Sequence, residues 1–83
     1  MIKEEINIKV KEAFVTVLEH SNFELTENTT ANDVDGWESI THMMIITEIE
    51  ERFGIKFKLM DLMNMNNVGD LLRSIELELG MAA

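Results

Sequence analysis

Ser39, His42 and Glu38 stand close together in a chain with few other groups suited to chemistry. A hydroxyl three residues before an imidazole, on one helical turn, has the spacing of a nucleophile and its base. A hydrolase needs more than that pair. No Asp or Glu is placed to orient the His42 ring, and no pair of donors can be named as an oxyanion hole. His42 therefore reads as a partly buried ring packed against the loop before it. Ser39 has a second chemistry open to it. The run Asp35-Gly36-Trp37-Glu38-Ser39-Ile40 passes from an acidic loop into a helix. Free N–H groups of a first turn, and the helix dipole, both favour a negative charge there. An exposed hydroxyl at that point is a good place to attach an anionic group.

The remaining candidates are weaker. His20 and His42 lie far apart, and neither has a second His or a Cys at metal-ligand spacing. Asp33, Asp35 and Glu38 lack the alternating oxygen positions, central Gly and closing Glu of an EF-hand. No Gly-rich phosphate loop is present. The chain has no cysteine, so packing alone must stabilise it.

The 83 residues suffice for one small domain, read as spanning 1–83. Sixteen acids against seven Lys and Arg give a net charge of −9, and this excludes a cationic stripe for nucleic acid. Anionic membranes are equally disfavoured, and no apolar run approaches the ~20 residues that span a bilayer. The start of the chain is amphipathic and mixed in charge, unlike a secretory signal, which predicts a cytoplasmic protein. Such a surface attracts partners with basic patches.

Hydrophobic spacing supplies the elements that position Ser39. Ile2, Ile6, Val10, Ala13, Phe14 and Val17 form one stripe, predicting a helix over 2–20. Residues 21–38 lose this period and carry five acids with no Lys or Arg. Phe23, Leu25, Val34 and Trp37 are the apolar anchors of this loop, whose length is itself a sign of function. A second helix is expected from Ser39 to Phe53, ended by Gly54. On a helical wheel Ile45, Ile46, Ile49 and Phe53, with His42, share an arc of roughly 100°. Ile40, Met43, Met44 and Thr47 point away from it, flanked by Glu50 and Glu51. Apolar residues on that outer face read as a docking surface able to adapt to different partners. Leu59 to Met63 predicts a short helical turn. A last helix follows, capped by Asn67 with Asp70 three residues on, and ended by Gly80. Its apolar face holds Val68, Leu71, Leu72, Ile75 and Leu79, with Asp70, Arg73, Ser74 and Glu76 opposite. Met81-Ala82-Ala83 reads as a frayed tail. The fold class is all-α: a four-helix bundle of three longer helices and one short one.

At this point the chain resembles the acyl carrier protein family. Its Asp35–Ile40 run is similar to the motif in which an Asp-Ser-Leu triplet opens the second helix. Glu50-Glu51-Arg52-Phe53-Gly54-Ile55 looks like the family's Glu-rich, Phe-terminated second helix. The spacing from Ser39 to Asn67-Val68 matches without insertion, so the resemblance covers nearly the whole chain.

The resemblance implies that a phosphopantetheinyl transferase moves 4′-phosphopantetheine from coenzyme A onto Ser39 as a covalent phosphodiester. The terminal thiol then holds acyl groups as thioesters, and catalysis belongs to the partners, so the chain is not an enzyme. Glu38, Ile40, Met43, Met44, Thr47, Glu50 and Glu51 become the recognition residues, offered by a monomer to acyl-loading ligases or synthases with basic docking patches. Three positions depart from the family: Trp37 replaces the common Leu and keeps the apolar anchor, and two others change the chemistry. Glu38 stands where Asp is usual, and Met44 where fatty-acid carriers are often acidic. The greasier face favours a specialised fatty-acid or polyketide-type pathway. An aminoacyl or D-alanyl carrier, and an unmodified carrier-like interaction module, are the alternatives. Gly36-Trp37 does not match the Gly-Gly pair of peptidyl carriers. Met60, Met63 and Met65 are expected to help line a yielding cavity for an acyl chain.

Overall fold

The computed structural model describes residues 2–80. Four helices follow in order: α1 (Lys3–Leu18), α2 (Ser39–Phe53), α3 (Leu59–Met63) and α4 (Val68–Glu78), with a 3₁₀ turn at Ala31–Asp33 in the long first loop. No strand occurs among the described residues. The all-α bundle is as the periodicity requires. The tail at 81–83 lies outside the described residues.

α1 is shorter than its hydrophobic stripe. Ile2 is its extended N-cap and stands exposed, so the stripe begins at Ile6. Its end is set by Glu19, which takes a left-handed conformation (φ 61°) while its N–H reaches the Val15 carbonyl at 2.8 Å. This C-cap is commonly Gly, so no residue type marks the stop.

The core is made where the helices face each other. Ile6, Val10, Ala13 and Phe14 of α1 meet Ile45, Ile46, Ile49 and Phe53 of α2, with Val68, Leu71 and Ile75 of α4. Each buried Val, Leu, Ile or Phe side chain among them contributes about 1.5–3 kcal/mol on full burial. Ser74, expected on the polar face of α4, is buried as well. Arg52 joins the two long helices at their edge. It donates to Thr16 Oγ1 at 3.0 Å and pairs with Glu12 at 3.5 Å and Glu48 at 3.4 Å.

The long loop is fixed from both sides. Val34 and Trp37 are buried in the core, and Phe23 and Leu25 pack partly against it. At the other side, the first turn of α4 donates outward to loop carbonyls: Val68 N–H to Thr29 (2.8 Å) and Gly69 N–H to Glu27 (2.9 Å). Helix-start donors that have no intrahelical acceptor thus become the anchor of the loop. Gly69 is required for this approach, because a Cβ there would lie 2.9 Å from the Glu27 oxygen.

Candidate functional site

α2 begins at Ser39 because Glu38 is extended (φ −128°, ψ −177°) and serves as the N-cap. Its backbone N–H reaches Thr41 Oγ1 at 2.7 Å, and the Thr41 hydroxyl donates in turn to the Gly36 carbonyl. This is the reach-back half of a capping box, with Thr at the third helical position instead of Glu. Thr41 was not singled out from the sequence. Its signal was the spacing, three residues after the cap.

Trp37 and His42 lock the loop onto this helix start. Trp37 packs edge-on against Phe14, with ring centroids 4.9 Å apart at 83°. Its Nε1–H donates to His42 Nδ1 at 3.0 Å, and the two rings stack at 5.9 Å with 27° between planes. Burial pushes the His42 pKa below the ordinary histidine value, favouring the neutral ring this bond needs. His42 is therefore the packed ring expected, tied to the loop and not to an acid.

His20 does a parallel job. Its Nδ1 accepts from Asn22 N–H at 3.1 Å, which leaves Nε2 to donate to the Asp35 carbonyl at 2.7 Å. Two histidines from the ends of two helices thus hold Asp35 and Trp37, on either side of Gly36. Only the two ring types near the loop's ends hint at this pairing in the sequence.

Ser39 stands exposed at the first position of α2 and opens on a groove of about 440 Å³. The groove is lined by Asn32, Trp37, Glu38, His42, Met65 and Asn66. The Ser39 side chain is open to solvent, and the first-turn N–H groups lie beside it. An anionic group esterified to Ser39 fits this place on charge and on space.

The expected recognition residues divide. Ile40 is 78 % exposed, and Met43 and Met44 are each 52 % exposed; Thr47 and Glu51 are exposed too. Glu50 differs, since it is half-buried and its Oε2 accepts the Phe57 N–H at 2.9 Å. Of the three methionines expected around a cavity, only Met65 is partly buried and lines the Ser39 groove. Met60 and Met63 stand exposed on α3. A five-residue helix has only one buried side to offer, and Leu62 takes it.

Residues 8–75 match the family model described as the phosphopantetheine attachment site. The chain belongs to the acyl carrier protein family. Among solved structures it is similar to the solution NMR structure of the holo acyl carrier protein from Geobacter metallireducens. The two share 35 % identity and superpose with a TM-score of 0.81, covering 89 % of this chain and 85 % of that one. A search of curated proteins returns no match. The carrier's prosthetic group is covalently attached 4′-phosphopantetheine, and a carrier of this kind presents cargo without catalysing its reactions. Its partners are a phosphopantetheinyl transferase and acyl-handling enzymes. No helix among the described residues is long and apolar enough to cross a membrane.

Proposed function

We propose that Ser39 is the attachment residue, within a carrier domain formed by the whole chain. The single observation behind this is the exposed hydroxyl at the first position of α2, open to a groove and flanked by free helix-start N–H groups. In the loading step the Ser39 oxygen forms a bond to phosphorus of coenzyme A. The pyrophosphate P–O bond breaks, adenosine 3′,5′-bisphosphate leaves, and the hydroxyl proton passes to the transferase. Modification followed by intact mass tests the assignment: one phosphopantetheinyl group is gained, and Ser39→Ala gains none.

The recognition face is proposed to be the exposed side of α2: Glu38, Ile40, Met43, Met44, Thr47 and Glu51, with Glu50 contributing its backbone position more than its engaged carboxylate. Between Ser39 and Thr47 this helix carries no acid. Apolar contact therefore adds to the attraction that the acidic chain exerts on a basic docking patch. This supports a dedicated carrier serving a specialised fatty-acid or polyketide-type pathway in the cytoplasm. Incubating the loaded protein with condensing enzymes, and separately with an amino-acid-adenylating ligase, distinguishes acyl from aminoacyl cargo. Transfer of an amino acid, and no acyl transfer, would overturn the acyl assignment.

A further inference from the structure

His42 has one ring nitrogen committed and one free. Trp37 can only donate through its indole nitrogen, so His42 Nδ1 must accept, and the neutral ring carries its proton on Nε2. That Nε2–H makes no hydrogen bond among the described residues and is not buried away from solvent. His42 lines the same groove as Ser39. They stand three positions apart on α2, so their Cβ atoms lie about 5–6 Å apart. Helical side chains lean toward the preceding turn, which carries the His42 ring back over the turn that Ser39 begins.

We propose that the Nε2–H of His42 donates to a non-bridging oxygen of the phosphodiester that joins the prosthetic arm to Ser39, and so directs the arm into the groove toward Met65 and Asn66. The inference rests on Ser39 being the attachment residue. Phosphorus bonds directly to the Ser39 oxygen, so the phosphodiester is the part of the arm that stays within reach of the ring. The thioester, at the far end, is not held there. The first-turn N–H groups of Ser39 and Ile40 have no intrahelical acceptor and supply two more donors. Trp37 thus does two jobs: it anchors the loop, and it fixes the tautomer that makes His42 a donor toward the groove. Among the described residues, Glu38 is the sole other titratable residue lining the groove. It carries the same sign as the phosphodiester and cannot supply the attraction. The segments facing His42 from across the groove contribute Ala31, Asn32, Met65 and Asn66, none of which titrates.

The test uses the full chain, ¹⁵N-labelled, before and after modification, with intact mass establishing that the arm is attached. Imidazole NMR then follows the His42 ring against pH. A nearby anion favours the charged ring, so the His42 midpoint is expected to rise on modification by at least about half a unit, the effect of a unit charge ~5 Å away in a water-like medium. The ³¹P resonance of the modified protein should move in His42→Phe and return toward the wild-type position in His42→Gln, which retains an N–H donor. An unchanged His42 midpoint in fully modified protein overturns the proposal and leaves the attachment site intact. Absence of any mass gain overturns the attachment reading, and this inference with it.

Discussion

The indole N–H of Trp37 ends on Nδ1 of His42, 3.0 Å away, so the last turn of the loop is fastened to the start of α2 through an unprotonated nitrogen. This bond makes the loop sensitive to acid. Burial lowers the folded-state pKa of His42 below 6.5, the value it regains on unfolding. Between those two pKa values the unfolded chain binds the extra proton and the folded chain does not. The stability carried by neutral His42 is thus complete above about pH 6.5 and is lost as pH falls through the lowered folded value. Urea midpoints of wild type and His42→Gln, compared at about pH 7.5 and pH 5.5, isolate this contribution from that of the carboxylates. Wild type should lose stability relative to the variant at the lower pH; an equal response in both proteins would contradict the bond.

Gly69 gives a second prediction, opposite in sign to helix propensity. Replacing an interior Gly by Ala ordinarily stabilises a helix by about 1 kcal/mol. Here the new methyl would meet the Glu27 carbonyl at 2.9 Å and displace the acceptor of the Gly69 N–H. Gly69→Ala should therefore destabilise the protein by about 1–3 kcal/mol in urea denaturation, the cost of overpacking plus a lost bond. Unchanged or increased stability would show that the 27–29 segment does not rest on α4.

The α4 cap is a third case. Asn67 Oδ1 accepts from the Asp70 N–H at 2.9 Å, and Asn67→Ala should cost about 1 kcal/mol of stability. The main return bond goes to the residue before the cap: Asp70 Oδ2 accepts from the Asn66 N–H at 2.9 Å. That backbone bond, then the Arg73 guanidinium, holds the Asp70 carboxyl below its usual range. Its contribution is present above the ordinary carboxylate pKa and lost as pH falls through the lowered value. In Asp70→Asn that part of the acid sensitivity should disappear, as read by helix content during acid titration.

These cases show what the sequence conveyed and what it withheld. Hydrophobic period placed α2 at Ser39–Phe53 and α3 at Leu59–Met63, because Gly54 and the apolar spacing act locally. The core face of α2 was legible for the same reason. The exposed Ser39 at the head of that helix was legible from its motif. The end of α1 was not, since Glu19 adopts a conformation its residue type does not advertise. Nor was the fastening of the loop. His20 to Asp35, Trp37 to His42 and Gly69 to Glu27 join residues 5 to 42 positions apart, and such bonds leave no periodic trace. The Ser39 groove was missed with them, because Met65 and Asn66 reach it only once α4 is docked.

Met44 separates folding from recognition. It is half-exposed on the outer face of α2. Met44→Arg should change stability by no more than about 0.5 kcal/mol. The same change places a cation where a basic partner surface is proposed to dock, and kcat/KM for a cognate acyl-loading enzyme should fall severalfold. Retained kcat/KM would remove Met44 from the recognition face.

The most direct measurement is the intact mass of the purified chain after incubation with a phosphopantetheinyl transferase and coenzyme A, with fragmentation to locate the added group. One phosphopantetheinyl group on Ser39, absent from Ser39→Ala, is the predicted result. An unmodified wild-type chain, or modification that persists in Ser39→Ala, would contradict the account.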